Sequence, residues 1–222
     1  MKYFISLLSC ILFFTAYTQE PTEQDSLTIS QEAYETAMQD YDEGIDLFYQ
    51  KKYHQALPLL QEATELNPHN SDYWYGLSSV LNGLNNLEEA KKSISQALTL
   101  EPNQSDYLLH RANVHFKLKE YQSSIDDYTN ALKYQDSSDI PLNEGHVYFN
   151  RGNCWLYLKK YQSAVYDFDA ALDSGYELAN VYHNRATALI RLGQKSKACQ
   201  DFQKAIDLGS KITGKYLTKY CN

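Results

Sequence analysis

The chain has 222 residues, with 20 Lys and Arg against 28 Asp and Glu, which gives a formal net charge of −8 at pH 7. It has no run of basic residues, and its acidic residues are spread along its whole length. Such a surface repels a phosphate backbone, so we expect no nucleic-acid partner. The sequence also lacks a phosphate loop, a nucleophile elbow, an HExxH helix and a CxxC pair, so neither an enzymatic activity nor a cofactor is predicted.

Residues 1–18 have the layout of a secretory signal peptide. One cation, Lys2, precedes an apolar run over residues 3–14, and small or polar residues follow it. The run is short for a membrane span, so we predict cleavage after Thr18, export to the periplasm or the medium, and no transmembrane span in the mature chain. Two alternatives stay open. One is lipoprotein anchoring through Cys10, which the apolar residues beyond that cysteine disfavour, and the other is an uncleaved anchor.

Residues 19–30 show no apolar periodicity and are predicted to form a flexible tether. Beyond them, two short amphipathic helices joined by a turn recur along the chain, most clearly over residues 71–104. There, Trp74 and Leu77 share one helix face. The apolar stripe of the second helix consists of Ala90, Ile94 and Ala97. Small alanines let this helix lie close to the first, and Pro102 ends it.

Pro68 and Pro102 are 34 residues apart, and this period, with W-x2-L, A-x3-I-x2-A and the closing proline, resembles the tetratricopeptide repeat. The same frame produces five units. These are residues 37–70, 71–104, 105–138, 145–178 and 179–212. The last residues, 213–222, repeat only the start of a first helix and are predicted to cap the array. The resemblance implies an all-α solenoid over residues 31–222, with five helical hairpins and a C-terminal capping helix.

The last three units share a pair of opposite charges that the first two lack. An arginine stands seventh and an aspartate twenty-third in each of these units. The residues are Arg111 and Asp127, Arg151 and Asp167, and Arg185 and Asp201. Counted from the turn, the two positions lie at similar heights on facing helices, which predicts structural ion pairs. Recent duplication of one unit, without contact between the charges, is the alternative.

Two of the four cysteines have a spacing that permits a bridge. Cys199 and Cys221 each lie 11 residues from Ser210, the predicted turn before the cap. Antiparallel helices bring such residues to one height, and an exported protein meets an oxidising compartment. A disulfide and two free thiols both stay open here, because the side chains must also share a face. Cys154 falls at a mostly apolar repeat position and is predicted to be a buried free thiol.

In the repeat family that the chain resembles, the first helices line a concave groove. The resemblance implies that positions two, five, six, nine, twelve and thirteen of each unit face it. The principal binding candidates are Tyr75, His110, Asn113, Lys117, His146, Asn150, Asn153, Tyr157, His183, Asn184 and Arg191, with Tyr41, Tyr49 and Asn82 beside them. Aromatic and amide groups suit an extended peptide backbone, and we expect the third to fifth units to make the main contact.

Two ligand classes are disfavoured at this groove. Some family members clamp a chaperone's carboxylate tail with a Lys, Asn and Arg set. The corresponding positions here hold Tyr41, Ile45, Gly76, Asp106 and His110. A metal site is not predicted either, because the groove histidines come from three different units.

The sequence therefore predicts an extracytoplasmic, non-enzymatic adaptor that binds a protein or peptide segment in its groove. The alternative is a structural subunit or accessory factor of a cell-envelope or secretion assembly, which would use the convex face or the ends of the array. An enzyme or a metal-binding protein is the third alternative.

Overall fold

The computed structural model describes residues 29–135 and 142–221, and every regular element in these residues is an α-helix. The helices are α1 (Gln31–Tyr49), α2 (Tyr53–Leu66), α3 (Ser71–Gly83), α4 (Leu87–Leu100), α5 (Ser105–Lys117), α6 (Tyr121–Lys133), α7 (Glu144–Tyr157), α8 (Tyr161–Asp173), α9 (Ala179–Arg191), α10 (Lys195–Asp207) and α11 (Gly214–Cys221). Consecutive helices pair into five hairpins, each packed on the next, and α11 packs on α10. The predicted all-α solenoid with a C-terminal capping helix is confirmed.

Several predictions about segments fall outside the described residues. They concern the signal peptide with Cys10, most of the tether, and residues 136–138 at the end of the third unit. In the described part of the chain, none of the helices combines the length and apolar character needed to cross a membrane.

Each hairpin turn contains one residue in the left-handed backbone region. The residues and their φ angles are Lys51 at 60°, Asn85 at 64°, Lys119 at 63°, Lys159 at 60° and Gly193 at 76°. They stand at the same place in each unit, so one turn conformation orients the second helix of every hairpin. Only Gly193 adopts this conformation without a clash between a Cβ atom and the backbone.

Small residues allow the two helices of a hairpin to approach closely. Ala56, Ala90, Ser124, Ala164 and Ala198 occupy one position of the second helices, and all are fully buried. The Ser124 hydroxyl, in place of the usual alanine, donates a hydrogen bond to the Ala112 carbonyl at 2.8 Å, so its polar atom is satisfied. On the facing helix of the fourth hairpin, a Cβ atom at Gly152 would lie 2.8 Å from the Phe168 ring, so any larger residue would push the helices apart.

The apolar core runs along the solenoid instead of forming one centre. Leu60, Val80 and Val114 come from three successive hairpins and belong to one buried cluster. Phe168 and Phe202 belong to another cluster, which joins the last two hairpins. Full burial of a large apolar side chain contributes about 1.5–3 kcal/mol. Since these clusters join side chains of successive hairpins, each hairpin is stabilised mainly by its neighbours.

The two ends of the array are finished differently. At the N-terminal end, the Ser30 side chain accepts a hydrogen bond from the Ala33 amide at 3.1 Å and caps α1. At the C-terminal end, a disulfide joins Cys199 of α10 to Cys221 of α11, with the two Cα atoms 5.7 Å apart. The two cysteines therefore lie at the same height along their helices, as counted from the sequence, and their side chains also face each other.

Candidate functional site

The inner side of the first three hairpins contains a cavity of about 410 Å³. It lies between α1, α3 and α5, and phenyl and phenol rings form much of its wall. The rings belong to Tyr41, Phe48, Tyr49, Tyr53 and Tyr75. Polar groups on the wall include those of Ser79, Asn82, His110 and Lys117. Six of the predicted groove residues therefore line one cavity, namely Tyr41, Tyr49, Tyr75, Asn82, His110 and Lys117. Tyr53 also lines it, but it lies on the second helix α2, where the repeat pattern predicts no groove residue.

Neighbouring rings hold most of these aromatic side chains in place. Tyr75 stacks on Tyr107 with ring centroids 5.1 Å apart, and Tyr41 packs on Tyr73 at 4.8 Å. Tyr49 is different, because 77% of its surface is exposed. The cavity therefore has a fixed aromatic floor and one ring that is free to contact a ligand.

His110 closes the cavity on the α5 side and is neutral at pH 7. Its Nε2 atom lies 2.9 Å from the Ser78 hydroxyl, which itself donates to the Ala90 carbonyl at 2.7 Å. The hydroxyl proton is thereby used, so Nε2–H of the imidazole donates to Ser78. Burial lowers the pKa of His110 to about 4, since the charged ring would lose its hydration there.

The predicted amide residues mostly bond to neighbouring side chains. Asn184 of α9 donates to the Asn153 side-chain oxygen of α7 at 2.7 Å, and Asn150 lies 3.1 Å from His146 one turn away. The following bonds connect other groove candidates: Lys117 to Asn82 at 2.6 Å, and the Tyr128 hydroxyl to Asn113 at 2.5 Å. These groups brace adjacent helices, and a ligand that used them would have to share or replace their bonds.

Three other candidates in the second half have different environments. Tyr157 is 59% exposed and stacks on Tyr121 at 4.8 Å, with the ring planes only 4° apart. Arg191 is exposed at the end of α9. His183 lies against the cap, with Nδ1 2.9 Å from the Thr213 hydroxyl and its ring edge-on to Tyr216. Tyr157 and Arg191 are therefore more accessible than His183.

The three arginines of the charged motif each make two hydrogen bonds to their aspartate. The distances are 2.8 and 2.8 Å for Arg111 and Asp127, 2.8 and 2.7 Å for Arg151 and Asp167, and 2.7 and 2.7 Å for Arg185 and Asp201. The aspartates are buried between the helices of a hairpin. The geometry is that of bidentate structural pairs.

In residues 29–135 and 142–221, no group of three or more His, Cys, Asp or Glu side chains is arranged to hold a metal ion.

Family models described as the tetratricopeptide repeat match residues 47–114, 109–177 and 179–209. Among solved structures, YrrB, described as a TPR protein with an unusual peptide-binding site, superposes with a TM-score of 0.73 at 20% identity, covering 85% of this chain and 94% of that one. MamA superposes with a TM-score of 0.70 at 16% identity over 84% of this chain and 96% of its own. Pseudomonas aeruginosa PilF superposes with a TM-score of 0.67 at 19% identity over 85% and 86%. At these identities the similarity concerns the fold.

Curated relatives match a smaller part of the chain. The Hsp70-Hsp90 organizing protein of Triticum aestivum is 26% identical over 106 residues, which are 47% of this chain and 18% of that protein. A DnaJ homolog subfamily C member 7 homolog of Dictyostelium discoideum is 29% identical over 93 residues, which are 40% of this chain and 17% of the relative. The matched region thus spans less than a fifth of the length of these relatives.

Proposed function

Because this chain is built of tetratricopeptide repeats, we propose that it is an exported interaction scaffold that binds an extended segment of another protein along the groove of its first helices. The aromatic cavity between α1, α3 and α5 is the observation that carries the proposal. The packing of the solenoid does not require the Tyr49 ring, because that ring is mostly exposed. Tyrosine is well suited to binding, because it offers a large contact area at a low cost in side-chain entropy.

The relatives support the class of function. One is named as an organizing protein for two other proteins, and one solved structure is described as having a peptide-binding site. These descriptions belong to those proteins, and only the general role of binding protein segments enters the proposal. In the second half of the groove, Asn150, Tyr157 and Arg191 supply an amide, an exposed ring and a cation for further contacts.

Binding is tested by capturing partners of the tagged chain from its native host and measuring the affinity of the partner for groove variants. Replacing Asn150, Tyr157 and Arg191 together by alanine tests the second half, and Tyr49→Ala tests the first. If either set is a hot spot, its loss should weaken binding by at least about 2 kcal/mol, with the helical content unchanged. Tyr166→Ala, which removes a 69% exposed ring from the second helix α8, is the matched control and should have no effect.

We extend the proposal to an extracytoplasmic location. The charged, apolar and small-residue order of residues 1–18 supports export, and the Cys199–Cys221 disulfide suits an oxidising compartment. N-terminal sequencing of the protein from its host should find Gln19 first. Intact Met1 in a cytoplasmic fraction would contradict this proposal, and an acylated Cys10 would favour the lipoprotein alternative.

A structural subunit of an envelope or secretion assembly is the second candidate. Exposed apolar side chains near the two ends of the array favour it, since 44% of Tyr34, 41% of Leu208 and 60% of Ile212 are exposed. If partner affinity survives all groove substitutions and falls with Tyr34→Ser or Ile212→Ser, this second function is the better account.

A further inference from the structure

Three carboxylates lie one helical turn from residues that line the aromatic cavity, since Asp42, Asp72 and Asp106 stand three or four residues before Ile45, Tyr75 and His110. Asp42 follows Tyr41 in the middle of α1, whereas Asp72 and Asp106 lie in the first turns of α3 and α5. Asp72 accepts a hydrogen bond from the Tyr107 hydroxyl at 2.6 Å, and Tyr107 stacks on Tyr75 of the cavity wall. Asp72 is thus linked to the cavity wall through the Tyr107 side chain.

These charges act on the phenol groups that line the cavity. Burial, followed by the charge of Asp72 and then by Tyr75 and Asp42, raises the pKa of Tyr41 to about 12. Burial and the charge of Asp106 likewise raise the pKa of Tyr75. Both phenols are therefore neutral at pH 7, and their electron-rich rings line the cavity close to negative charge.

Lysines supply positive charge in this part of the groove. Lys117 lines the cavity, but its ammonium group donates a hydrogen bond to Asn82. His110 is neutral at pH 7, as its lowered pKa requires. The aspartates of α3 and α5 also stabilise the positive ends of their helices, but Asp42 has no such role in the middle of α1. Three acidic residues thus flank the cavity, and the cations near it are Lys117 in its wall and Lys51 and Lys52 beside Tyr53.

Building on the proposed function, we propose that the cavity receives an arginine or lysine side chain from the partner's extended segment. The aliphatic stem would lie among Tyr41, Tyr49 and Tyr75, and the cationic head would point toward the bordering carboxylates. Ring faces and carboxylates together attract such a group, and an apolar wall accommodates its methylene groups. The preferred ligand is then opposite in charge to a carboxylate tail.

Peptide selection on the purified chain, with its disulfide intact, supplies the probe. A displayed library of random dodecapeptides should enrich arginine or lysine at one position. In the synthetic winner, replacement of that residue by glutamine should raise the Kd at least about tenfold, and replacement by glutamate should raise it further. Binding should also weaken as salt screens the carboxylates.

Two variants locate the peptide without disturbing the core. Tyr49 and Asp42 are exposed, so Tyr49→Ala and Asp42→Asn should leave stability unchanged. We expect each to weaken the basic peptide several-fold, and Asp42→Asn to reduce the preference for arginine over glutamine. The matched controls on α8, Tyr166→Ala and Asp173→Asn, remove the same groups from another face and should change neither quantity.

The results separate this inference from the proposed function. Enrichment of acidic or purely apolar peptides that depend on Tyr49 would overturn the cationic occupant and leave groove binding intact. Peptides that bind the Tyr49→Ala and Asp42→Asn variants as tightly as the native chain would overturn the inference, and they would also place the contact outside this part of the groove. A selection that enriches no peptide would likewise overturn the inference.

Discussion

Arg151 shows how a single side chain stabilises two hairpins at once. Its guanidinium group makes two hydrogen bonds to Asp167 and a third, at 3.0 Å, to Thr129 of the preceding hairpin. Arg185 repeats the arrangement with Asp201 and, at 2.6 Å, with Asp169. Lysine would not reproduce it, because only arginine presents several donors in one rigid plane. In each of the three units that contain the Arg and Asp motif, the two side chains are in contact.

A double-mutant cycle measures the coupling in this pair. Only 1% of the Asp167 side chain is exposed, so Arg151→Ala would leave a buried charge uncompensated, at a cost on the order of 3 kcal/mol. Asp167→Ala should cost a similar amount, and the double variant little more than either single one. Urea unfolding of the four proteins provides the free energies. Strictly additive losses would mean that the charges are uncoupled and that duplication alone explains the pattern.

His110 should make stability depend on pH. Its pKa is about 4 in the folded chain against an ordinary value of 6.5, so the unfolded chain binds the extra proton between these values. Stability is therefore fully present above pH 6.5 and decreases as the pH falls toward 4, by about 2 kcal/mol at pH 5. Unfolding in urea at pH 7.5 and pH 5 should show that His110→Asn removes this part of the slope. The exposed His54, changed to Asn, is the control; equal slopes in both variants would contradict the assignment.

At the scale of the elements, the hairpin turns carry strain that substitution can relieve. Lys159 adopts a left-handed conformation that costs a side chain of its kind about 1 kcal/mol, and glycine adopts it freely. Lys159→Gly should therefore stabilise the chain by up to about 1 kcal/mol in thermal unfolding. Asn85→Gly should gain less, because asparagine tolerates this region better. Gly193→Ala should lower the stability; a gain there would refute the strain argument.

The capping helix depends on its attachment to α10. An isolated helix of eight residues is unstable in water, and none of the residues of α11 is fully buried. The disulfide and the rings of Tyr216 and Tyr220, which pack on Phe202, hold it in place. Replacing Cys199 and Cys221 together by serine should cost about 3 kcal/mol, as expected for a closed loop of this length.

Loss of the disulfide should destabilise the C-terminal end of the array and leave the other hairpins unchanged. In a solenoid, each hairpin contacts only its neighbours, so hydrogen exchange in the serine variant should accelerate in α11 and then in α10. The amides of α1 to α6 should be unaffected. Reduction of the native disulfide by a dithiol should reproduce this profile, whereas uniform acceleration along the whole chain would show that the array unfolds as one unit.

For the whole molecule, the contacts that sequence analysis could predict are those within a hairpin or between adjacent helices. Arg151 with Asp167, and Cys199 with Cys221, could be paired by counting residues from a turn. The bond from Asn184 to Asn153 could not, because it joins first helices of successive units, and their relative rotation is absent from the repeat frame. For the same reason the frame could not show that Tyr53 reaches the cavity.

The groove consequently has two halves of different character. The first is aromatic, negatively bordered and open at Tyr49, and in the second most of the amides that we expected to contact a ligand, Asn153 and Asn184 among them, already bond to neighbouring groups. Tyr157 and Arg191 keep the second half available as a contact surface. The first three hairpins are therefore as good a candidate for the binding surface as the last three.

Site-specific photo-crosslinking to the captured partner tests the central claim, that the chain acts by binding in its groove. A photoreactive phenylalanine analogue would replace one exposed tyrosine at a time: Tyr49 or Tyr157 in the groove, or Tyr166 on a second helix, which are 77%, 59% and 69% exposed. We predict a covalent adduct with the partner from Tyr49, from Tyr157 or from both, and none from Tyr166. An adduct from Tyr166 alone would contradict groove binding and place the contact on the convex face.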